Sequence, residues 1–252
     1  MKTQTDTPTT TTTEAPAQAA WNDANGATHE EPATRALLSH DLYLARPNRV
    51  GNHYKGQRNY HGHTWFSNTQ SLVWHESLFE RNALLWLDFT YDIVAVAAQP
   101  MKLTFANGRE HTPDFMALHS DQRQVVYDVK PAKRITAKYV EQFAETAKVC
   151  ADVGWGYEVI SEFDPIFLGN LLWMSNFRHH NYAPPPEARS RLLAALNPSL
   201  TVRLAAAAFG EAHVPAAMGW IQHLAWLGDI RFDHTVPLSS TTTLWKAPHA
   251  NS

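Results

Sequence analysis

Residues 109–131, REHTPDFMALHSDQRQVVYDVKP, decide the fold at the middle of the chain. They contain two short apolar runs, at 115–118 and 124–129, separated by a polar stretch around Ser120-Asp121. Apolar runs of this length on either side of a polar turn are typical of two paired strands. The stretch therefore predicts two neighbouring antiparallel strands joined by a short turn.

Charged side chains mark the ends of these two predicted strands. Asp114 precedes the first strand, and Asp128 and Lys130 close the second. Residues two apart on a strand point to the same face, so Asp128 and Lys130 share one face while Val129 points into the core. Asp114, at the start of the neighbouring strand, is expected to face the same space as Asp128 and the carbonyl group of Val129.

Oxygen ligands of this kind favour a hard divalent cation. Two carboxylates and a backbone carbonyl suit Mg²⁺, with Mn²⁺ as the alternative, and Mg²⁺ keeps several of its waters. A bound metal lowers the pKa of such a water and polarises a phosphoryl oxygen, and Lys130 is then placed to orient the attacking water. The pattern predicts phosphodiester hydrolysis. The structural alternative is that Asp114 caps a turn while Asp128 and Lys130 form a surface pair on an edge strand.

The elements predicted on both sides of the central stretch complete an α/β unit. In order, they are a helix at 77–89, strands at 92–98 and 101–105, a hairpin turn at Asn107-Gly108, a helix at 135–152 and a strand at 157–160. A strand, a helix and a further strand form a right-handed crossover, so the 157–160 strand is expected to lie parallel to the strand that carries Asp128.

Glu80 has two readings that the sequence leaves open. It lies near the start of the 77–89 helix, from which a carboxylate can reach the metal site formed by Asp114 and Asp128. However, Ser77-Leu78-Phe79-Glu80 also matches a capping box, S-x-x-E, in which the glutamate bonds a backbone N–H. The capping reading predicts that Glu80 lies at the helix start, away from the aspartates.

Basic residues on both sides of the site are candidate DNA contacts. Lys133, Arg134 and Lys138 follow the site directly, which suits a phosphate backbone, although a solvated face is the usual reading of such a run. Arg58 belongs to a segment at 36–70 in which basic and aromatic residues are interleaved, a mixture that suits a phosphate backbone and exposed bases. The alternative for that segment is an arm packed by its aromatic residues onto the next domain.

Composition sets further limits. The 252 residues include 24 acidic and 21 basic side chains, for a net charge of -3, so any DNA-binding groove must be local. The single cysteine, Cys150, excludes an intramolecular disulfide and a cysteine-based zinc site. We expect a cytoplasmic protein, because the sequence has neither an apolar run of the roughly 18 residues that span a bilayer nor a signal-peptide pattern.

Both ends of the chain differ from its middle. Residues 1–35 are rich in Thr, Ala and Pro, which predicts a disordered tail. Residues 36–183 hold the predicted α/β domain, and the stiff linker Pro184-Pro185-Pro186 begins a second domain at 184–252. The second domain shows helical patterns at 187–196, 199–208 and 214–226 and a hairpin at 230–245, which is the order of a winged helix.

A domain with the winged-helix order of elements can bind either DNA or a protein partner. His213, His223 and Arg231 are the basic candidates for a DNA contact near the third helix. This low number of basic residues favours contact with a protein partner.

Three segments resemble a known family. ESLFERNALLWLDFTYDIVAVAAQP at 76–100, HTPDFMAL at 111–118 and VVYDVKP at 125–131 are similar to the TnsA-like endonuclease subunit of heteromeric transposases, over about residues 62–178. The resemblance implies the PD-(D/E)xK restriction-endonuclease-like fold, a mixed sheet flanked by helices. By position it implies catalytic roles for Glu80, Asp114 and Lys130. The fourth position is Asp128, where some family members have glutamine and the wider superfamily has an acid.

The resemblance also implies a function and partners. A subunit of this family cuts double-stranded DNA at the 5′ ends of a mobile element. A DDE transposase subunit (TnsB-like) cuts and joins the 3′ ends, and an AAA+ ATPase regulator (TnsC-like) contacts the C-terminal domain. Two alternatives stay open: a PD-(D/E)xK nuclease of DNA repair or defence, and a non-catalytic DNA-binding adaptor with the same fold.

Overall fold

The computed structural model describes residues 15–48, 60–210 and 213–248, which form a mixed α/β structure. Its first elements are β1 (Gln18–Asn22), β2 (Thr28–Pro32), β3 (Gly62–Phe66), β4 (Ser71–His75), α1 (Leu78–Thr90), β5 (Ile93–Ala98), β6 (Lys102–Thr104), β7 (Glu110–His111), β8 (Phe115–His119), β9 (Gln124–Val129), α2 (Ala137–Val153) and β10 (Gly156–Ile160). The later elements are α3 (Pro165–Ser175), α4 (Pro186–Ala195), β11 (Leu200–Thr201), α5 (Val202–Ala207), α6 (Val214–Trp226), β12 (Ile230–Arg231) and β13 (Thr243–Lys246). Within the described ranges, the helices are too short or too polar to cross a membrane.

A four-stranded sheet in the order β10-β9-β8-β5 forms the centre of the molecule. β8 pairs antiparallel with β9, as the sequence predicts, and Phe115 lies opposite Tyr127. β10 pairs parallel with β9, placing Val159 beside Asp128, and α2 makes the connection between these two strands. The strand pair and the crossover predicted around residues 109–131 are therefore confirmed.

Helices α1 and α2 cover opposite faces of this sheet. Tyr127 and Val129 pack with Leu84 and other residues of α1, whereas Val126, one position along β9, packs with Val149 and other residues of α2. Side chains alternate between the two faces of a strand, so both faces of β9 are buried. Asp128 consequently lies on the α2 face, at the end of an otherwise apolar strand.

The N-terminal segment is folded, and the predicted disorder of residues 1–35 is wrong for residues 15–35. β1 and β2 join a second sheet in the order β2-β1-β6-β7, in which Ala19 and Trp21 are buried beside Leu103. Alternate inward residues of β1 supply enough apolar contact to order a segment whose composition is otherwise polar. Residues 1–14 lie outside the described residues.

The second sheet also carries the predicted hairpin. β6 and β7 pair antiparallel around Asn107-Gly108, and Gly108 has a φ of 78°. A left-handed backbone of this kind favours glycine, which explains the turn at this position. The hairpin matters for function because β7 ends at His111, three residues before Asp114.

The C-terminal segment shares its core with the preceding helices. Leu85 of α1, together with Leu171 and Met174 of α3, belongs to the same buried cluster as the apolar residues of α4, α5 and α6. The boundary predicted at residue 184 therefore cuts through one packed unit. Pro184 is buried and Pro186, although exposed, opens α4, so this stretch joins packed elements and the predicted linker between separate domains is wrong.

The order of elements after residue 185 agrees broadly with the expectation. Three helices come first, although the pattern at 199–208 begins with the short strand β11 before α5. β12 and β13 pair antiparallel, and β11 adds to the other edge of β13. The result is three helices packed with a small three-stranded sheet.

One buried carboxylate ties α1 to the turn between β3 and β4. Asp88 accepts hydrogen bonds from the amide and hydroxyl groups of Ser67, at 2.7 and 2.6 Å, and from the amide of Asn68, at 3.0 Å. Ser67 in turn accepts a bond from the indole N–H of Trp226 in α6. Asp88 is only 4% exposed, so water cannot replace these bonds.

We expect Asp88→Ala to lower the free energy of unfolding by about 2–4 kcal/mol, because it leaves buried donors without an acceptor. Chemical denaturation monitored by circular dichroism measures this loss. Asp152→Ala, at an exposed position of α2, is the control and should change stability little. Equal stability of the two variants would contradict a structural role for Asp88.

Candidate active site

A single cavity of about 1080 Å³ is lined by all four predicted site residues, Glu80, Asp114, Asp128 and Lys130. They come from the start of α1, the segment before β8 and the end of β9. Val129, predicted as a metal ligand through its carbonyl group, also lines the cavity. The structure thus brings together residues separated by as many as 50 positions in the sequence.

The β8–β9 register sets the positions of the two aspartates. Phe115 pairs with Tyr127, so Asp114 and Asp128 lie next to each other where the ladder ends. Asp114 Oδ2 accepts a hydrogen bond of 2.7 Å from the amide of Val129. The amide and carbonyl groups of a strand residue point to the same side, so the Val129 carbonyl is directed towards Asp114 as well.

The strand on the other side of Asp114 fixes its backbone. The amide of Gln99, directly after β5, donates to the carbonyl of Asp114 at 2.8 Å. Gln99 is buried and has a φ of 47°, a left-handed conformation that is uncommon for residues other than glycine. Strained backbone of this kind is held only where surrounding contacts determine it, here beside the candidate site.

The cavity concentrates negative charge. Burial raises the pKa of Asp114 well above its usual range, and the neighbouring charges of Asp128 and Glu80 add to the shift. Burial also raises the pKa of Glu80. Lys130 acts in the opposite direction on both carboxylates, but its single charge does not cancel the effect.

Glu80 makes the capping bonds and also lines the cavity that holds the aspartates. Its amide donates to Ser77 Oγ at 3.2 Å, while its carboxylate accepts from the Ser77 hydroxyl at 2.9 Å and from the amide of Glu76 at 2.7 Å. These bonds cap α1. The capped start of α1 nevertheless lines the cavity, so the expectation that capping removes Glu80 from the aspartates is wrong.

Asp128 is held by two residues that sequence reasoning missed. His111 Nε2 lies 2.9 and 3.0 Å from the two carboxylate oxygens of Asp128, and the Tyr157 hydroxyl donates to Oδ2 at 2.6 Å. The amide nitrogen of Gln142 donates to His111 Nδ1 at 2.8 Å, which leaves the proton on Nε2 directed at Asp128. Burial and the charge of Asp128 raise the pKa of Tyr157 above its usual value, so the phenol keeps its proton.

One of these partners had a signal in the sequence. Because β9 and β10 are parallel and Tyr157 pairs with Val126, Tyr157 is on the same face as Asp128. That relation follows from the predicted crossover once the register is known. The position of His111 has no such signal, because it depends on how the β6–β7 hairpin packs over the central sheet.

For the Mg²⁺-dependent nuclease site that the sequence predicts, we expect Tyr157→Phe and His111→Ala each to raise the Mg²⁺ concentration needed for DNA cleavage by about 10- to 100-fold, because groups that orient a metal-binding carboxylate typically contribute that much. Tyr127→Phe is a matched control, since it removes a buried hydroxyl that contacts His119 at 2.9 Å, outside the cavity lining. Titration of cleavage rate against Mg²⁺ measures the effect. A Tyr157→Phe protein with the wild-type Mg²⁺ dependence would refute the role given to this hydroxyl.

Lys130 is positioned by an aromatic ring. Its ammonium nitrogen lies 4.0 Å from the ring centroid of Tyr139 in α2, a cation–π contact. Tyr139 is another lining residue, and it was not among the predicted site residues. Contact of both Lys130 and the partners of Asp128 with α2 confirms that Asp128 and Lys130 share one face of β9.

The predicted DNA contacts differ in where they lie. Lys133 and Arg134 are exposed on a short 3-10 turn at Ala132–Arg134 and line the cavity. Lys138 is exposed on α2 but lies outside the cavity lining. Arg58 lies outside the described residues. Among the C-terminal candidates, His223 is buried and contacts the carbonyl of Phe177 at 2.7 Å, so it packs in the core and is unavailable to DNA.

The chemistry of the lining fits a hard divalent cation. The carboxylates of Glu80, Asp114 and Asp128 line one cavity, and a bound cation would relieve the repulsion between their charges. Within residues 15–48, 60–210 and 213–248, no group of three or more His, Cys, Asp or Glu side chains is arranged to hold a metal ion. Mg²⁺ is commonly held by one or two carboxylates and several waters, so a cage of three protein ligands is not required.

Comparison of the chain with models of protein families finds no match, and a comparison with curated proteins finds none either. The case for a function therefore rests on the residues of the chain and their geometry.

Proposed function

We propose that the protein is a Mg²⁺-dependent DNA endonuclease that hydrolyses phosphodiester bonds, with Glu80, Asp114, Asp128 and Lys130 as its active-site residues. The observation that carries the proposal is the meeting of these four residues in one cavity, with basic residues at its edge. Carboxylates that can hold a divalent cation, with a lysine beside them, can provide metal-assisted phosphodiester hydrolysis.

Each residue has a role that follows from its contacts. Asp114 and Asp128, with the Val129 carbonyl, would hold the cation, and Glu80 would contribute a further carboxylate from α1. When bound, Mg²⁺ supplies charge neutralisation at the phosphoryl oxygens and lowers the pKa of a coordinated water. Lys130, directed by Tyr139, would hold the attacking water and offset charge on the phosphate. His111 and Tyr157 would orient Asp128.

The surroundings of the cavity support DNA as the substrate. Lys133 and Arg134 stand exposed at the cavity edge, where they can contact phosphates on either side of the cleaved bond. The formal charge of the chain is negative, so attraction for DNA must come from such a local basic edge.

The particular kind of nuclease follows from the resemblance of the sequence to TnsA-like subunits. The sheet in the order β10-β9-β8-β5 between α1 and α2 agrees with a restriction-endonuclease-like fold. The helices and small sheet after residue 185 agree with a winged-helix-like domain. We therefore propose that the protein cuts the 5′ ends of a mobile element. Its partners would be a DDE transposase subunit and an AAA+ ATPase regulator.

Cleavage of labelled double-stranded DNA with Mg²⁺ or Mn²⁺, with and without the transposase and ATPase subunits of the same element, tests the proposal. We expect cleavage that EDTA abolishes and that Asp114→Ala removes. Full wild-type cleavage by Asp114→Ala, or silence of the wild type with all partners present, would refute the catalytic role. Silence combined with DNA binding would instead favour an adaptor that has kept the fold.

A further inference from the structure

The outer face of the β3–β4 hairpin carries aromatic rings that the proposed reaction does not use. His63 pairs with Trp74 and Trp65 pairs with Leu72 across the two strands, and these four residues define the hairpin face. The alternate residues point the other way: Phe66 and Val73 are buried in the cluster that contains α1. The hairpin face is therefore the outer one: Leu72 is 63% exposed, while Trp65 and Trp74 are half-buried and Trp74 also packs against that cluster.

The rings on the hairpin face have aromatic neighbours at both ends of the hairpin. His61 and His63 lie 5.4 and 5.1 Å from Trp74, measured between ring centroids. At the other end, Trp65 lies 4.5 Å from the ring of His179. These neighbours hold both indole rings in place, so the surface is preorganised before a ligand arrives.

The composition of this surface favours nucleic-acid bases over a protein partner. Residues 61–75 contain no Asp, Glu, Lys or Arg, and Leu72 is the single aliphatic residue on the hairpin face. Aromatic rings stack with every base, whatever the sequence. Imidazole groups beside the rings supply hydrogen-bond donors for phosphate oxygens without the carboxylates that would repel them.

One end of the hairpin lies beside the candidate active site. Tyr60, 71% exposed, lines the cavity, and the next residue, His61, contacts Trp74. Glu76, which follows β4, also lines the cavity. A DNA strand that leaves the cavity in this direction meets Trp74 first and Trp65 second.

The spacing of the two indoles suits separate bases. Trp65 is two strand positions beyond the residue that pairs with Trp74, which corresponds to about 7 Å along the strand. That is about twice the 3.4 Å spacing of stacked nucleotides in one strand. Two neighbouring bases that have separated from each other can therefore each meet one indole.

We propose that the hairpin face binds unpaired nucleotides next to the cleaved phosphate, with one base stacked on Trp74 and another on Trp65. This inference rests on the proposed function in taking DNA as the ligand, but it concerns binding and does not require cleavage. It assigns to the protein a preference for DNA whose strands are separated beside the cleavage point.

Binding of fluorescent DNA to the full chain carrying Asp114→Asn, without divalent ions, tests the inference by anisotropy. The probes are a blunt duplex and the same duplex with a short unpaired flank. We expect tighter binding of the flanked duplex. Trp65→Ala and Trp74→Ala should each weaken that binding about tenfold and leave the blunt duplex unaffected. Trp65→Phe should retain most of the affinity.

Two further variants separate stacking from folding. Trp245→Ala removes an indole that is 38% exposed on β13, outside the hairpin, and should not alter either affinity. Trp65→Leu keeps an apolar side chain without a ring. The bonds from Arg178 to residue 65 go to its backbone carbonyl and do not involve the side chain, so the fold should persist. Circular dichroism confirms folding, and we expect Trp65→Leu to lose the preference as Trp65→Ala does.

Equal affinity of the parent protein for the two duplexes, or unchanged binding by both Trp65→Leu and Trp74→Ala, would overturn the inference. The inference would also be overturned if these tryptophan variants bound DNA as the parent protein does but no longer bound the transposase or ATPase subunit. That result would assign the hairpin face to a protein partner. The two proposals fail separately. If the wild type does not cut DNA but prefers the flanked duplex, only the proposed nuclease activity is refuted. If it cuts DNA without this preference, only the proposed stacking surface is refuted.

Discussion

Asp114→Asn is expected to lower the DNA cleavage rate by about 1000-fold or more while raising the melting temperature of the metal-free protein. Both effects come from the charge of Asp114, which would bind the cation needed for cleavage but destabilises the metal-free protein. Asp114 is placed where burial and the charges of Asp128 and Glu80 oppose its ionisation. An amide of the same shape removes the repulsion, but it is a poor replacement for a carboxylate that holds a cation.

The stability difference depends on pH in a defined direction. The folded-state pKa of Asp114 is raised above the unfolded value, so folding is most favourable when the carboxyl is protonated. The wild type therefore loses stability relative to Asp114→Asn as the pH rises from below the ordinary pKa of 3.8 through the raised pKa. Differential scanning fluorimetry should show that the difference in melting temperature between the two proteins widens from pH 4 to pH 8. Mg²⁺ should narrow this difference near pH 8.

Asp121→Asn is the matched control for Asp114→Asn. Asp121 lies in the exposed turn between β8 and β9, where it bonds Arg123 outside the cavity lining. We expect it to leave the cleavage rate unchanged. A metal-free Asp114→Asn protein that melts below the wild type at neutral pH would show that the bond from Val129 outweighs the repulsion, against the charge argument.

The strands and helices around residues 109–131 were predictable because local pattern and burial agree there. Each apolar run of β8 and β9 is short, ends in a turn or a charge, and has both faces covered. Placement of Asp128 and Lys130 on one face needs only the two-residue period of a strand. The convergence of Asp114 with them needs only the antiparallel pairing that the turn dictates.

Other features depend on contacts between segments distant in sequence. β1 has the composition of a disordered tail and folds because β6 offers a free edge and the core accepts Trp21. His111 reaches Asp128 only because the β6–β7 hairpin packs over the central sheet. The capping pattern at Glu80 does not exclude a place in the cavity wall, since a helix start can be both capped and part of that wall.

Lys130→Met is expected to reduce the cleavage rate by about 100- to 1000-fold, the range found when one transition-state charge contact is lost. Methionine keeps most of the length of the side chain and removes the charge. The ammonium group also favours the ionised forms of Glu80 and Asp114, so its loss should weaken Mg²⁺ binding as well. Single-turnover cleavage at saturating Mg²⁺ isolates the effect on the reaction itself.

The ring of Tyr139 allows charge to be separated from position. Tyr139→Leu keeps the ammonium group of Lys130 but removes the ring whose centroid lies 4.0 Å from it. We therefore expect a smaller loss of cleavage rate, about 2- to 30-fold. Lys148→Met, at an exposed site further along α2, removes a positive charge outside the cavity lining and should leave the rate unchanged. Wild-type cleavage by Lys130→Met at saturating Mg²⁺ would exclude the lysine from the chemical step. A Tyr139→Leu loss as large as that of Lys130→Met would mean that the position of the ammonium group matters as much as its charge.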